Sequence, residues 1–355
     1  MSIHLDHVPR YERTAIDSDF FEEKLRPRLP GSLFDVHVHI NLPEHVRSVP
    51  AQRIESDWAL QCGSVLTCED AYRIAEDMFP GLTYSIAGFP WPVREADLEA
   101  NNRYLAQMGR IGWLSPFMVV KPEWPAEKVE TELVQGGFVG FKPYPDMVSG
   151  TKGADISILD FMPHAQWALL EKHRKSVVLH LPRAERLASR ANVSELLEIR
   201  QRYPHVGIII AHLGRSFCPD FLRRGLEALG SHAGEFHFDL SGVMQAECLR
   251  MAFESIPLGH ILYGSDLPIF HWHGETQCTE KGYLHLTREN YPWVKEHRSS
   301  EKESRYVLFL YRQVAAILDA LERRGATEAE KKGVWGENAR KLIGLEGKSA
   351  ISSGT

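Results

Sequence analysis

Short apolar runs recur along the chain and alternate with longer amphipathic stretches. Most of the runs are continuously apolar, which is typical of strands covered on both faces by helices. Between them, segments such as ADLEANNRYLAQMGRI carry apolar residues at a spacing of three or four, as amphipathic helices do. Eight strands alternating with helices predict an α/β fold, a (β/α)8 TIM barrel of parallel strands. The eight runs are residues 33–39, 82–89, 113–120, 138–144, 176–181, 206–213, 236–241 and 261–266.

Two segments depart from this alternation. Residues 1–30 precede the first strand, and we expect them to form an N-terminal extension on the outside of the barrel. Residues 267–303 form a long loop between the eighth strand and its helix, either a functional lid or a packed excursion or subunit contact. The barrel is therefore predicted over 31–345, with a frayed C-terminal tail at 346–355.

Composition and charge narrow the possible partners. The 355 residues include 41 Lys and Arg against 47 Asp and Glu, so nucleic acid is not an expected partner. The chain has no apolar run of membrane-spanning length, and its N-terminus lacks the apolar core of a secretory signal. Five cysteines without C-x-x-C spacing favour neither a disulfide framework nor a cysteine zinc site, which suggests a reducing, cytoplasmic location. A homodimer or higher homo-oligomer is the default expectation.

Polar side chains stand where several of the apolar strands end. His37 and His39 close the first strand and share one face, since side chains two apart on a strand project the same way. His180, His212 and Asp266 end the fifth, sixth and eighth strands, at the C-terminal mouth where barrel enzymes hold their active sites. Burying so many titratable groups without an ion is costly. We therefore predict one divalent metal, with zinc favoured and manganese or iron as alternatives.

The strings FDVHVHI, LHLP, AHLG, YGSDLP and ENARKLIGL resemble the amidohydrolase superfamily. They are most similar to the amidohydrolase-related branch that includes aminocarboxymuconate semialdehyde decarboxylase and related hydrolases and decarboxylases. The resemblance implies a barrel that holds one divalent metal, with His212 as a catalytic or substrate-polarising residue. The ligands that it implies are His37, His39, His180 and Asp266.

Two positions bear on how far this resemblance extends. Lys142 in VGFKPYPD corresponds either to the carboxylated lysine of binuclear members or to a plain lysine that contacts substrate, and we favour the plain lysine. The motif after the sixth strand continues from His212 to Arg215, where many relatives have a second glycine after Gly214.

The residues and the resemblance together predict a metal-dependent hydrolase. A metal-activated water would attack an amide, lactone or ester, with Asp266 taking the proton and His212 stabilising the oxyanion. Asp35 either orients a histidine ligand or satisfies backbone donors, and we favour the second role. The alternatives are a metal-dependent non-oxidative decarboxylase of an unsaturated or aromatic acid, and an inactive barrel used as a binding protein.

Charged and aromatic residues near the strand ends suggest a small anionic substrate. Lys142, Arg183 and Arg215 would bind a carboxylate, unless they are surface charges paired with nearby acids. Tyr144 and Trp91 would line an apolar wall of the site, although such aromatics also cement long loops. A second H-x-H at His271 and His273 lies in the long loop and lacks strand geometry, so we do not expect a metal there.

Overall fold

Eight parallel strands form the centre of the molecule. The computed structural model describes residues 2–3, 12–46, 49–56, 60, 65–91, 95–148, 155–279, 282–291, 294 and 296–346. Each of the eight predicted runs overlaps one strand, and neighbours along the chain are neighbours in the sheet. The strands are β1 Ser32–His39, β2 Thr83–Phe89, β3 Ser115–Val120, β4 Gly140–Pro143, β5 Ser176–Leu179, β6 Gly207–Ile210, β7 His237–Asp239 and β8 Ile261–Leu262.

Backbone hydrogen bonds between β1 and the chain at β8 close the sheet. The Val36 N–H donates to the Tyr263 carbonyl over 3.1 Å, and the Asp266 N–H donates to the His37 carbonyl over 3.0 Å. The His39 N–H donates to the Leu267 carbonyl over 2.8 Å. The sheet is therefore a barrel, and the predicted (β/α)8 fold is confirmed.

One helix follows each strand on the outside of the barrel. These are α1 Cys68–Met78, α2 Leu98–Arg110, α3 Ala126–Gln135, α4 His164–His173, α5 Arg190–Arg202, α6 Pro219–Leu229, α7 Ala246–Ser255 and α8 Phe309–Arg323. Shorter helices are Ala15–Phe20, Ala51–Ser56, Ile158–Phe161, Ser300–Glu303, Glu328–Lys332 and Asn338–Leu342. Single helical turns are Phe21–Leu25, Pro43–His45, Pro145–Met147, Arg186–Ala188, His212–Arg215, Gly230–Glu235, Leu258–His260 and Gly333–Glu337. Two further strands, Ser2–Ile3 and Val49–Pro50, pair antiparallel outside the barrel.

The interior of the barrel is filled by apolar side chains from the strands and from the C-terminal helix Asn338–Leu342. Because inward residues of a small barrel pack into layers, the lumen is a core and not a pore. This packing leaves the C-terminal ends of the strands for polar groups. The interior cluster consists of Phe34, Val36, Ala87, Phe89, Phe117, Val139, Val178, Ile209, Ala211, Leu262, Ala339 and Ile343.

The N-terminal extension packs on the outside of the barrel, as predicted. Thr14 caps the helix Ala15–Phe20. Beyond it, the Phe21 ring stacks on Tyr311 of α8 with centroids 5.8 Å apart. Arg28 reaches Asp319 and Glu322 of the same helix, each at 2.7 Å. Most of the predicted C-terminal tail, from residue 347 onward, lies outside the described residues.

The long loop after β8 is a packed excursion that includes a β-hairpin. Strand Gly274–Thr279 pairs with Gly282–Thr287. Before the hairpin, Phe270 and Trp272 pack on Phe309 at the start of α8, with ring centroids 4.6 and 4.7 Å away. These aromatics fasten the loop to the barrel.

Cys218 and Cys278 form a disulfide, so the expectation of no disulfide is wrong. Cys278 lies on the hairpin and Cys218 precedes α6, 60 residues away in sequence, and only the return of the long loop over the barrel brings them together. Cys68 and Cys248 are free and buried, and Cys62 lies outside the described residues. The cytoplasmic location stays a prediction that the cysteine pattern no longer supports. Among the described residues, no helix has the length and apolar character needed to cross a bilayer.

Candidate metal centre

His37 and His39 at the end of β1 lie on the same side of the strand. Their ring centroids are 5.5 Å apart. The Nε2 atoms of both rings lie 3.1 Å from one carboxylate oxygen, Oδ1 of Asp266. All three side chains are buried. The pairing of β1 with β2 shifts register between Asp35 and Val38, and such bulges commonly re-aim side chains at functional sites.

Asp266 is held in place by the backbone around it. Its φ of +64° is in the left-handed region, which non-glycine residues adopt at a cost and which is common at functional sites. Asp35 Oδ1 accepts hydrogen bonds from the backbone N–H groups of His37 and Ser265, each over 3.0 Å. Burial raises the pKa of Asp35 to about 6. Asp35 therefore satisfies backbone donors of both chain segments that carry the cluster, which is the role that we favoured.

The residues of this cluster fit a divalent cation. The three ligand atoms of His37, His39 and Asp266 all lie within 4.8 Å of one another. Within the described part of the chain, the buried Nε2 of His37 has no hydrogen-bond partner, and it faces Oδ1 of Asp266 at 3.1 Å. Burial lowers the pKa of His39 to about 4, so this imidazole is neutral at pH 7, the form that binds metals. Two imidazoles and a carboxylate in such an arrangement could hold one divalent metal.

Asp239 at the end of β7 is a site residue that we did not predict. Its Oδ2 lies 3.0 Å from His37 Nδ1. Its Oδ1 accepts hydrogen bonds from the N–H of His212 and of Ser241, over 2.9 and 3.1 Å, and from the Ser241 hydroxyl. Burial opposes its charged form, but His37 and these bonds outweigh burial and hold the pKa of Asp239 below its usual value.

Asp239 belongs with His37 and His212 to a second group that could hold a metal. We favour the first group, because the oxygens of Asp239 are already engaged by hydrogen bonds. In that position Asp239 fixes the ring of His37 and turns Nε2 toward Asp266. The sequence held a signal for it, since Asp239 lies in the second half of the seventh run, FHFDLS, near the end at which Asp266 stands in ILYGSD.

Replacing Asp239 by asparagine is expected to weaken metal binding by about 10- to 100-fold, because a neutral amide accepts from His37 more weakly than a carboxylate and fixes its ring less firmly. Competition between the protein and a chelating dye for zinc or manganese would measure the change. Asp220→Asn on the exposed side of α6 is the control. Equal affinities of the two variants would contradict the orienting role.

His212 begins a left-handed turn of four residues. The φ angles of His212, Leu213, Gly214 and Arg215 are +57°, +48°, +69° and +60°. A left-handed conformation costs a non-glycine residue roughly 1–2 kcal/mol. Only at Gly214 is a side chain also excluded by space, since a Cβ there would lie 2.6 Å from the Cβ of Leu187.

The turn directs His212 into the mouth of the barrel. Its Nδ1 lies 3.0 Å from the Ser241 carbonyl, which can only accept, so Nδ1 carries the proton and Nε2 keeps its lone pair. Burial lowers the pKa of His212 to about 4. A neutral His212 is therefore placed beside the cluster, with its ring centroid 4.7 Å from that of His37.

His180, a predicted ligand, lies beside the cluster and does not join either group of ligand atoms. Its ring centroid is 5.3 Å from that of His212 and 5.5 Å from that of Tyr144, on which it stacks. Burial and the nearby Arg215 cation hold the pKa of His180 well below its usual value. The His180 ring therefore packs between His212 and Tyr144 at the edge of the cluster.

Lys142 is fully buried, and its ammonium has no hydrogen-bond partner among the described residues. The Nζ atom lies 4.5 Å from the centroid of the Phe89 ring, which itself contacts both histidines of β1. Burial lowers the pKa of Lys142 to about 8, although Asp239 and Asp266 oppose the shift. A cationic donor thus lies in the field of the two carboxylates of the cluster.

Of the two predicted arginines, one is engaged elsewhere. Arg183 donates to Glu195 and to Asn192, each over 2.5 Å, so its charge is neutralised on α5. Arg215 donates only a long bond, 3.4 Å, to the Leu181 carbonyl. The unpredicted Arg186 donates to the Arg215 carbonyl over 2.9 Å. Within the described ranges, neither Arg186 nor Arg215 lies within 4.0 Å of a carboxylate oxygen.

Trp91 lies close to the cluster and is itself buried. Its ring centroid is 5.1 Å from that of His39. Its backbone N–H donates to the Asn41 side chain over 2.6 Å. In the second H-x-H, carboxylates engage both ring nitrogens of His273: Nδ1 contacts Glu289 and Nε2 contacts Asp17.

The family model described as amidohydrolase matches residues 34–345. No curated protein matches the chain.

Solved structures share the fold at low identity. A 2,6-dihydroxybenzoate decarboxylase from Rhizobium is 16% identical, with a TM-score of 0.53, over 89% of this chain and 99% of that one. A dihydroxybenzoic acid decarboxylase from a Polaromonas species, with bound manganese, is 17% identical. Its TM-score is 0.53, and the match covers 88% of this chain and 97% of that one. A probable 2-pyrone-4,6-dicarboxylic acid hydrolase from Acinetobacter baumannii, with citric acid bound, is 15% identical. Its TM-score is 0.53, and the match covers 88% of this chain and 99% of that one.

Proposed function

Because this chain belongs to the amidohydrolase family, we propose that it is a metal-dependent hydrolase that acts on an amide, lactone or ester of a small carboxylated substrate. His37, His39 and Asp266 would hold one divalent cation, with His180 completing the set if its ring turns away from Tyr144. The nitrogen-rich donors favour zinc, and manganese is the alternative, since a similar structure carries it. When bound, the cation would activate a water and polarise the substrate carbonyl.

The side chains around the cluster supply the proton transfer and the charge stabilisation. Asp266 would accept a proton from the attacking water and pass it to the leaving group. Among the side chains of the protein, the Lys142 ammonium would stabilise the oxygen that becomes negative in the transition state. Because Nδ1 of His212 carries the proton, His212 would accept a hydrogen bond from the substrate through Nε2 rather than donate to the negative oxygen.

The observation that carries this proposal is the buried, unpartnered ammonium of Lys142 beside Asp239 and Asp266. A buried cation without a hydrogen-bond partner is costly unless it serves charge that arrives with substrate or develops during the reaction. Hydrolysis develops such charge on the carbonyl oxygen, and interactions that strengthen in the transition state accelerate the reaction.

Non-oxidative decarboxylation of an aromatic or unsaturated acid is the second candidate. It is favoured by the similar structures, which include several decarboxylases of hydroxylated benzoic acids. The cations argue against it as the first candidate, because a carboxylate held by Lys142 would be stabilised before it could leave as neutral CO2.

A single assay separates the two candidates. The zinc- or manganese-loaded protein is incubated with hydroxylated benzoic acids and with carboxylated lactones, and both CO2 and net proton release are recorded. Proton release without CO2 from a lactone, with ¹⁸O from labelled water in the new carboxylate, would support hydrolysis. Stoichiometric CO2 from a benzoic acid would favour the second candidate. Protein that binds neither metal would contradict both.

A further inference from the structure

Two arginines at the mouth of the barrel have no carboxylate oxygen within 4.0 Å among the residues that the structure describes. Arg186 and Arg215 are half-buried, and the Nη1 of Arg186 donates to the backbone carbonyl of Arg215. In the part of the chain that the structure describes, neither guanidinium forms an ion pair. Burial and the adjacent Arg186 lower the pKa of Arg215 to about 10, so the two cations repel each other in a partly dry environment.

The backbone at Arg215 adds a second observation. Its φ of +60° lies in the left-handed region, where glycine is relaxed and a side chain is strained. Arg186, with φ of +57°, is in the same region. Two strained backbones therefore present two unpaired cations at one place, and strained residues of this kind cluster at functional sites.

The surroundings of the pair connect it to the metal centre. The guanidinium of Arg186 lies 5.5 Å from the centroid of the Tyr283 ring and 5.9 Å from that of Phe217. Phe217 in turn lies 6.1 Å from the His212 ring. On the other side, the Arg215 cation acts electrostatically on His180 and Tyr144. The Phe217 ring thus lies between the arginine pair and His212. Lys142 lies over a different ring, that of Phe89.

We propose that Arg186 and Arg215 form a second anion subsite, which binds a carboxylate of the substrate remote from the reacting carbon. The substrate is accordingly a small dianion with a flat apolar centre, held between the metal centre and the arginines with Phe217 and Tyr283 as its wall. Two guanidinium forks suit a carboxylate because they can donate to both of its oxygens. The inference rests on the proposed function for the role of the first site.

The hairpin contributes one side of this subsite. Tyr283 lies on the second hairpin strand, and its ring centroid is 5.1 Å from that of Phe217. The disulfide between Cys278 of the hairpin and Cys218 joins the hairpin to the segment that carries Phe217. The long loop thus provides a fixed wall for the distal end of the substrate.

The test compares dicarboxylates with a monocarboxylate. Isophthalate, terephthalate and benzoate are titrated by calorimetry into the manganese-loaded wild type and into the variants Arg186→Gln and Arg215→Gly. We expect at least one dicarboxylate to bind the wild type more than about 10-fold tighter than benzoate. Each variant should reduce this ratio to near one and leave the affinity for benzoate and for manganese unchanged.

The choice of glycine at position 215 keeps the result interpretable. Because glycine relaxes a left-handed residue, Arg215→Gly should have an unchanged or raised Tm, so weaker binding would not reflect misfolding. Arg340→Gln is the control, since Arg340 is a half-buried arginine near Phe34 and Ser85 in the N-terminal half of the barrel.

Three outcomes would overturn the inference: equal affinities of the wild type for mono- and dicarboxylates, a preference for dicarboxylates that survives in both arginine variants, or the same loss in Arg340→Gln. Failure of the proposed function would look different. In that case the metal-loaded protein would release CO2 from a benzoic acid or would bind no metal, while the wild type would still prefer dicarboxylates and both arginine variants would lose that preference.

Discussion

Asp266→Asn is expected to lower kcat by at least about 10³-fold and to reduce the metal content of the purified protein. One oxygen of Asp266 contacts the Nε2 atoms of both His37 and His39, so this carboxylate is shared by the cluster. Asparagine keeps the shape and removes the charge, which weakens the metal site. The amide also cannot accept the proton that the proposed mechanism assigns to Asp266.

Steady-state kinetics with elemental analysis of the same samples measures both effects. The control is Asp220→Asn, which changes the net charge equally on the exposed surface of α6. If Asp266→Asn holds a full complement of metal and turns over at the wild-type rate, Asp266 is neither ligand nor proton acceptor. Full metal with lost turnover would assign it the proton transfer alone.

Asp17→Asn is expected to lower the free energy of unfolding by about 3–5 kcal/mol, the usual cost of removing one partner from a buried ion pair. Asp17 and His273 are both fully buried, and Asp17 Oδ2 lies 2.9 Å from His273 Nε2. The other ring nitrogen lies 2.6 Å from Glu289 Oε1. Asp17 also accepts from the Leu308 N–H over 2.8 Å. These contacts of Asp17, His273, Glu289 and Leu308, here called the clamp, join the N-terminal extension to the long loop and to the start of α8.

The same clamp predicts how stability depends on pH. Burial opposes both charges, but the pairing wins, so the pKa of Asp17 is lowered below 3.8 and that of His273 is raised above 6.5. The contribution of Asp17 is present above its unfolded pKa and is lost as pH falls through the lowered value. The contribution of His273 is present below about 6.5 and is lost as pH rises through the raised value. The clamp is therefore strongest between about pH 4 and 6.5.

Urea unfolding of the wild type and of Asp17→Asn across this pH range measures the difference. Asp19→Asn, an exposed residue of the same helix, is the control. Arg288 contacts Glu289 at 3.4 Å and Glu12 at 3.7 Å, and all three residues are present in both variants. A difference between wild type and Asp17→Asn that is below 1 kcal/mol (roughly the value of a surface pair), or flat with pH, would contradict the clamp.

The barrel could be predicted from the sequence because its signal is local. A strand covered on both faces must be apolar throughout, and its helices must be amphipathic, so eight runs and the helices between them specify the fold. The period of two residues along a strand likewise placed His37 and His39 on one side of β1. Their common position near Asp266 and His212 followed from the rule that strand ends meet at one mouth.

Other parts of the site depend on contacts that no local pattern encodes. Arg183 and Arg186 both follow β5, and only the position of Glu195 on α5 decides which of them is neutralised. The disulfide depends on the path of the long loop, and the stacking of His180 on Tyr144 joins residues that follow two different strands.

The sequence by itself determined the barrel, the first-strand histidine pair and the strand-end positions of His212 and Asp266. Those features follow from the periodicity of single strands and from the order of strands around a closed sheet. Only the tertiary structure decided which side chains meet: Asp239 at His37, Asp17 at His273, and Arg186 beside Arg215 without an acid. The physical reason is that pairing, burial and backbone strain arise between segments far apart in sequence, and their energies are set by distances that exist only in the folded chain.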